Sequence, residues 1–342
     1  GWTSLDFAKV LDYENLIQLK KQPFATTEKL QSFLHQQRDG FELTDKRASL
    51  PVILDEAHYC LDCHTRDKDS CSKGLYDQNH HLKKNALRVL LEGCPLEEKI
   101  SEMHFLVKQG EWIAALAVIC IDNPLCAGTG HRICNDCMRS CVYQKQEPVN
   151  TPLVETDVLR QVLDLPYGVE IYGLLTRFNP LNTQRPFPLP YNGKNILVVG
   201  LGPAGYTLAH YLAKEGFAAI GIDGLTLESL PLKLTGNWRK NILPKPIKKW
   251  ASMVHPLDRR TVLGFGGVSE YGITSRWDKN FLDLLYLTLS RQQGIQFYGG
   301  AFFGGTLTLE DAFSHYSIDH VALATGAGSP TILSTPQALS RG

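Results

Sequence analysis

The sequence lacks several features that mark large functional classes. Its 342 residues carry no net charge, with 35 Lys and Arg against 35 Asp and Glu, and no polybasic run. Nothing therefore favours nucleic acid or an anionic membrane surface as a partner. The longest apolar runs, 196–199 and 218–222, are far shorter than the roughly 20 residues that span a bilayer. Because the N-terminus has no signal-peptide pattern, we expect a cytoplasmic protein without a membrane span.

Cysteine is absent from residues 1–59 and 142–342, so every cysteine lies between those two segments. The nine are Cys60, Cys63, Cys71, Cys94, Cys120, Cys126, Cys134, Cys137 and Cys141. Small secreted domains held by disulfides are shorter, carry a signal peptide and pair their cysteines evenly. A crowded, odd-numbered set in a chain without such a signal favours metal ligation.

The composition, 43% hydrophobic and 20% charged, is typical of a globular protein with a substantial core, and the length predicts two or three domains. Residues 1–50 are predicted as a helical N-terminal segment and 51–178 as a helical domain that contains the cysteines. Residues 179–193 form a proline-rich linker, and 194–342 an α/β domain. The expected fold class is therefore α plus α/β, with a helical domain followed by a Rossmann-like domain.

Apolar spacing predicts short helices between the cysteines, at Glu97–Lys108, Trp112–Ile119 and Asp157–Leu163. After the linker the pattern changes to strand, glycines, helix and strand. Continuous apolar runs predict two buried parallel strands with one helix between them: Asn195–Val199, Pro203–Lys214 and Ala218–Ile222. This order is typical of a dinucleotide-binding βαβ unit.

Gly200, Gly202 and Gly205 follow the first strand in a G-x-G-x-x-G pattern. In this fingerprint the first glycine allows a tight turn, the second lets the backbone approach a pyrophosphate, and the third lets helix and strand pack closely. The helix N-terminus adds unpaired N–H groups and a positive dipole end. Asp223 ends the second strand, where an acidic side chain accepts hydrogen bonds from a ribose hydroxyl. Together these residues predict a bound dinucleotide.

Spacing alone leaves four interpretations of the cysteines open. The C-x-x-C-H sequence at 60–64 matches the attachment pattern of c-type haem, although that chemistry belongs to exported proteins. The same cysteine pair with Cys134 and Cys137 could ligate structural zinc. Single cysteines, Cys120 first, could be buried free thiols. Two iron–sulfur clusters need about eight ligands, a number that seven or eight well-spaced cysteines suit.

Longer stretches resemble the glutamate synthase small-subunit family, which includes the N-terminal part of dihydropyrimidine dehydrogenase. The first half of the resemblance rests on 59–74 (YCLDCHTRDKDSCSKG), 93–100 (GCPLEEKI), 123–125 (NPL), 129–134 (TGHRIC), Cys137, Cys141, Pro148-Val149 and Glu155. The second half rests on the G-x-G-P-A-G form with Pro203 and Ala204, on Gly266-Gly267 with Tyr271-Gly272-Ile273, and on Ala324-Thr325-Gly326. With gaps it covers 55–335 and points to large members described as FAD-dependent pyridine nucleotide-disulfide oxidoreductases.

The resemblance implies two 4Fe–4S clusters with interleaved ligands. One cluster would take Cys60, Cys63, Cys71 and Cys141. The other would take Cys94, Cys134, Cys137 and, as an oxygen ligand, Glu155. The resemblance also implies FAD at the glycine fingerprint, with Gly266 and Gly267 near the flavin and with Ala324, Thr325 and Gly326 on the strand and turn that return to it.

The chain departs from the family pattern in four places. An insertion, 72–93, separates Cys71 from Cys94, which stand close together in the family. Cys134 and Cys137 are nearer to each other than their counterparts. Cys126 occupies a position where the family has proline, which makes it an alternative ligand. A second insertion lies at about 225–263.

The resemblance implies an enzyme in which NAD(P)H reduces the flavin and the flavin passes single electrons to the clusters. No second glycine fingerprint is present, so NAD(P)H would bind through a domain outside this chain, and we expect other domains or subunits of a larger redox enzyme as partners. No acid–base pair or nucleophile is apparent, and catalytic residues stay unassigned. Two other functions remain open: a non-catalytic electron-transfer or assembly module, and a zinc-stabilised scaffold.

Overall fold

The computed structural model describes residues 40, 42–43, 47–130, 134–237, 240–259, 264–267 and 278–326. They form a helical half followed by a half that contains a parallel β-sheet, which confirms the expected mixture of helices and parallel sheet. The predicted helical segment 1–50 lies almost entirely outside the described residues, and so does Tyr271-Gly272-Ile273.

The helical half confirms the three helices predicted among the cysteines, with shifted ends. Its described helices are α1 Leu50–Tyr59, α2 Ser70–Lys73, α3 Ile100–Lys108, α4 Trp112–Asp122, α5 Cys126–Thr129, α6 Asp136–Ser140, α7 Thr151–Asp164 and α8 Gly168–Arg177. The α3 helix begins later than predicted because Glu97 adopts a left-handed backbone conformation, with φ of 51°. The α7 helix begins earlier, where Pro152 fits the first turn.

The second half has the predicted βαβ unit with the predicted ends. Its elements are β1 Asn195–Val199, α9 Pro203–Lys214, β2 Ala218–Ile222, α10 Leu232–Thr235, α11 Asn280–Ser290, β3 Ile295–Tyr298, α12 Leu309–Ser314 and β4 His320–Leu323. The strands pair in parallel in the order β3-β2-β1-β4. Val199 lies opposite both Ile222 and Leu323, so the carboxyl ends of three strands meet at one edge, where open α/β sheets bind ligands.

The α11 helix joins the two halves, because residues 280–289 are all buried. Its Leu285 lies against Gly128 of α5, where a Cβ would come within 2.3 Å of the leucine Cδ1. One continuous cluster of buried residues includes Ile53 of α1 and Ile295 of β3. The halves therefore share one hydrophobic core. Among the described helices none, α11 included, has both the length and the apolarity that crossing a bilayer requires.

Two glycines inside helices give a matched test of how α9 packs on β1. A Cβ on Gly205 in α9 would lie 1.8 Å from the carbonyl oxygen of Gly200, whereas a Cβ on Gly173 in α8 meets nothing within 4 Å. We expect Gly205→Ala to lower the free energy of unfolding by about 2 kcal/mol because it overpacks the contact. Gly173→Ala should raise it by about 0.5 kcal/mol, because alanine favours a helix. Urea unfolding measures both, and equal effects would contradict this packing.

Candidate cofactor sites

Four cysteines from separate parts of the helical half line one cavity, and we call them set 1: Cys60, Cys63, Cys71 and Cys141. Cys60 follows the end of α1, Cys63 begins a short 3₁₀ turn, Cys71 lies on α2 and Cys141 follows α6. The cavity that they line together with neighbouring side chains has a volume of about 20 Å³. These four residues are the ligand set that the family resemblance implies for one cluster.

The turn between Cys60 and Cys63 is held by a buried lysine. Asp62, inside this turn, has a left-handed backbone with φ of 49°, a conformation that aspartate tolerates better than most residues. Lys108, at the end of α3, donates to both carboxylate oxygens of Asp62, at 2.9 and 2.7 Å, and to the Cys60 carbonyl at 3.1 Å. The lysine side chain is 8% exposed, so this cation lies within the protein beside the cavity.

The second implied ligand group, which we call set 2, consists of Cys94, Cys134, Cys137 and Glu155. Its members influence one another electrostatically: burial raises the pKa of Cys137 most, and the charges of Glu155, Cys134 and Cys94 raise it further. Burial also raises the pKa of Cys94 to about 12, with a smaller contribution from Glu155. Cys134 is the exposed member and Cys137 is buried. These electrostatic contributions show that the four lie in one region of the helical half.

Glu155 is a buried carboxylate on α7 whose surroundings are shaped to receive it. A Cβ on Gly130 would lie 2.6 Å from Glu155 Oε1, so the glycine leaves room for this oxygen. Asn123 donates to Glu98 Oε1 at 3.0 Å and to Glu155 Oε1 at 3.4 Å. Burial, followed by the charge of Glu98, raises the pKa of Glu155 well above its ordinary value. A cation at this site would stabilise the ionised carboxylate.

The insertion between Cys71 and Cys94 leaves the two cysteines adjacent. The Cys94 amide donates to the Cys71 carbonyl at 2.9 Å, and the Leu75 amide donates to the Leu91 carbonyl at 2.8 Å. The intervening residues form a surface excursion, 75–91, with antiparallel bridges that join Tyr76 to Leu82 and Lys84 to Leu90. The unusual sequence spacing therefore does not separate the two sets.

Cys126, the alternative ligand, contacts a different group of side chains. Its thiol hydrogen bonds with that of Cys120 and with the Tyr172 hydroxyl. The Cys120 contact and burial raise the pKa of Cys126 well above the ordinary value, and the Tyr172 bond opposes this shift. Both cysteines are buried and all nine cysteines are free of disulfides. This contact favours Glu155 over Cys126 as the fourth member of set 2, and it agrees with Cys120 as a buried free thiol.

The donor chemistry of both sets fits a cationic iron–sulfur core. Burial raises the pKa of Cys60 to about 12 and also raises that of Cys71, so empty thiols stay protonated, whereas coordination deprotonates them. Backbone amides already point at the sulfurs: Asp62 donates to Cys60, and Leu96 and Glu98 donate to Cys94. Such N–H groups stabilise thiolates and tune cluster potentials.

Within the described ranges, no three His, Cys, Asp or Glu side chains lie close enough together to hold a single metal ion. In a 4Fe–4S cluster each of the four irons takes one protein ligand. The ligands of a cluster therefore surround it rather than meet at one point, as the four thiols of set 1 surround their cavity.

The glycine fingerprint forms a backbone surface that we call the glycine cradle, made of Gly200, Gly202, Gly205, Gly266 and Gly267. Gly200 needs its φ of 100°, and a Cβ there would lie 2.4 Å from the Ala324 carbonyl oxygen. The Gly266 amide donates to the Leu201 carbonyl at 2.9 Å, and a Cβ on Gly267 would come within 3.1 Å of Gly202 Cα. The structure therefore brings residues far apart in sequence to the carboxyl edge of the sheet.

The remaining predicted dinucleotide residues lie around this cradle. Pro203 and Ala204 open α9, and Thr325 and Gly326 follow β4. Asp223 accepts the amide of Leu201 at 3.1 Å on one oxygen and that of Leu225 at 3.0 Å on the other. It therefore braces the loop that carries the fingerprint, while each carboxylate oxygen keeps a second lone pair for a ribose hydroxyl.

Residues that sequence reasoning missed are the buried polar side chains between the cysteine sets: Glu98, His104 and Lys108. Burial raises the pKa of Glu98 to about 7 and lowers that of His104 to about 3. His104 and Lys108 stand four residues apart on α3, so they share the helix face that meets set 1. The sequence signal that could have indicated them is the occurrence of polar residues at helical spacing within an apolar stretch.

Comparison with known proteins finds two relatives described as uncharacterised and more distant ones with a named activity. No protein-family model matches the chain. An uncharacterised protein of Rickettsia prowazekii is 50% identical over 207 residues, which is 60% of this chain and 28% of that protein. A second uncharacterised protein of this organism is 36% identical over 108 residues, 29% of this chain and 33% of the relative.

The small chain of NADPH glutamate synthase from Mycobacterium tuberculosis is 29% identical over 125 residues, 36% of this chain and 22% of that protein. The chain thus spans a third or less of the length of these three relatives. Distant similarity to a glutamate synthase small chain agrees with the resemblance read from the motifs.

Removing the surface excursion tests whether metal binding by the cysteine sets depends on it. We expect replacement of residues 76–90 by an Asn-Gly turn, which suits a two-residue hairpin loop, to leave the metal content of the purified chain unchanged. The reason is that Leu75 and Leu91 already pair and Cys94 bonds directly to Cys71. Metal analysis and circular dichroism check the variant. A folded variant that has lost its metal would show that the surface excursion is needed for the cysteine sets.

Proposed function

We propose that this chain is part of an oxidoreductase in which electrons move between FAD, held at the glycine cradle, and two 4Fe–4S clusters, held by set 1 and set 2. The convergence of the four set 1 thiols on one cavity is the observation that carries the proposal. Residues 60–71 supply three of them and Cys141 the fourth, and a core built only for stability has no need to gather four thiols, one buried and three half-buried, at one cavity. The distant similarity to a glutamate synthase small chain supports the same class.

The three cofactor positions would follow one another through the packed core. Gly130 contacts the Glu155 carboxylate of set 2, and Gly128 lies against the Tyr206 hydroxyl, with a Cβ there only 2.5 Å from it. Tyr206 follows Gly205 of the glycine cradle directly in α9. One helix, α5, therefore lies between Glu155 of set 2 and Tyr206 beside the cradle, and the hydrogen bond from Cys94 to Cys71 joins set 2 to set 1.

Each group of residues would have a distinct role. Thiolates and Glu155 would hold iron, amides at the thiolates and Lys108 would offset their negative charge, and the cradle would bring backbone close to a pyrophosphate. FAD, when bound, supplies conversion between two-electron and one-electron chemistry. We further propose that the reductant is NAD(P)H bound by another domain or subunit of a larger enzyme. The domain division at 51–178, 179–193 and 194–342 belongs to the same proposal.

Cysteine substitutions test the two cluster sites separately. On the ligand count, the anaerobically purified chain should contain about eight irons. We expect Cys141→Ala and Cys137→Ala each to lose about half of the iron, because each removes a ligand from a different set. Cys120→Ala, the matched control, should keep all of it, since Cys120 bonds to Cys126 and lies in neither set. Iron and sulfide analysis with electron paramagnetic resonance measures the result.

Two results would contradict the cluster proposal, and two others would change the rest of the proposed function. Stoichiometric zinc without iron would favour the scaffold. Equal iron in the Cys141 and Cys120 variants would remove set 1 as a ligand set. NADPH oxidation by this chain alone would contradict the placement of the NAD(P)H site outside it, whereas clusters without flavin would favour an electron-transfer or assembly module.

Gly202 offers a substitution that separates flavin binding from folding. Its φ of −78° suits any residue, and an added Cβ would meet only Gly267 Cα, at 3.9 Å. We expect Gly202→Ala to keep the thermal midpoint of the parent chain but to weaken FAD binding at least about tenfold, because the methyl group occupies the approach of the pyrophosphate. Flavin fluorescence after denaturation and titration of the apoprotein measure this. Unchanged FAD affinity would show that the cradle is not the binding surface.

A further inference from the structure

His104 is a buried histidine that lacks hydrogen-bond partners within the described protein. It lies on α3 with no exposed surface, and neither Nδ1 nor Nε2 has a hydrogen-bond partner. An imidazole buried in this way has lost its bonds to water without replacing them, a condition that native structures rarely tolerate unless another group completes it. The buried imidazole therefore needs a hydrogen-bond partner.

The position of His104 indicates what that partner is. The residue lines the set 1 cavity together with the four cysteines. Ile100 and Ser101 line the same wall one turn earlier on α3, and the hydroxyl of Ser101 is engaged by the His64 amide at 3.1 Å and by the His64 ring. Lys108, one turn later, is engaged by Asp62 and the Cys60 carbonyl. Of these polar groups on the α3 wall, His104 alone has no bond.

We propose that His104 donates an imidazole N–H to a sulfur atom of the cluster in set 1, and that this hydrogen bond sets the reduction potential of that cluster. The inference rests on the proposed function, because it requires a cluster at set 1. His104 is a donor rather than a ligand, since four cysteine thiols already satisfy the four irons. Reduction adds negative charge to the cluster, so an N–H group stabilises the reduced form more than the oxidised form.

Substitution at His104 with potentiometry as the readout tests the proposal on the intact chain. His104→Phe and His104→Leu replace the imidazole by an apolar side chain of comparable size and so remove the donor. His104→Asn retains an N–H donor. His58→Leu, on α1 and outside the cavity lining, is the control. Midpoint potentials come from redox titrations followed by electron paramagnetic resonance, with the cluster of set 2 as the internal reference.

We expect the apolar variants to retain about eight irons and one unchanged midpoint, with the other lowered by about 59 mV, a tenfold change in a one-electron equilibrium. His104→Asn should restore most of that shift, and His58→Leu should show none. The use of two apolar variants keeps the test valid if one fails to fold.

Two outcomes would overturn the inference while leaving the proposed function intact. Midpoints identical to those of the parent chain in a folded, iron-loaded apolar variant would show that His104 does not contact the cluster. Loss of half of the iron from both the apolar variants and His104→Asn would make it a ligand instead. Absence of iron from the parent chain is a separate result, which refutes the proposed function and this inference with it.

Discussion

Two backbone links hold the cysteine sets beside each other, and the arrangement of the site depends on them. The first is the hydrogen bond from the Cys94 amide to the Cys71 carbonyl, which joins set 2 to set 1 across the excursion. The second is α6, whose first turn carries Cys137 of set 2 while the residue that follows the helix, Cys141, lines the cavity of set 1. Neither set can form without fixing the position of the other.

The buried thiols dominate the electrostatics around the two cysteine sets. Burial raises the pKa of Cys60, Cys71 and Cys94, and Glu155, a buried carboxylate, raises that of Cys94 further. Lys108 is a nearby cation with its charge committed to Asp62. Charged groups that lose water need compensation, which a cationic cluster core supplies and which a lysine on its own does not. Coordination of iron by these thiols would therefore release protons.

The sequence predicted the βαβ unit to the residue, because its strands are continuous apolar runs and its helix lies between a glycine fingerprint and Gly216. Membership of the cysteine sets came from the family resemblance, since spacing alone left zinc, haem and clusters open. The predicted first residues of α3 and α7 were wrong because Glu97 and Pro152 act locally. The pairing of Cys71 with Cys94 and the exposure of the His104 ring to the set 1 cavity depend on long-range packing, which no local pattern records.

The shared core gives the proposed electron route a physical basis. Had the two halves been independent domains joined by the proline-rich segment, the separation between glycine cradle and cysteine sets would vary with their relative motion. Instead α11 is buried between them, and Leu285 and Tyr206 both pack on Gly128. A side chain at Gly128 would force α5 away from α9 and α11, and α5 leads directly to Gly130, which receives Glu155. Gly128 and Gly130 therefore determine how closely Tyr206 and Glu155 approach α5, as Gly205 determines how closely α9 approaches β1.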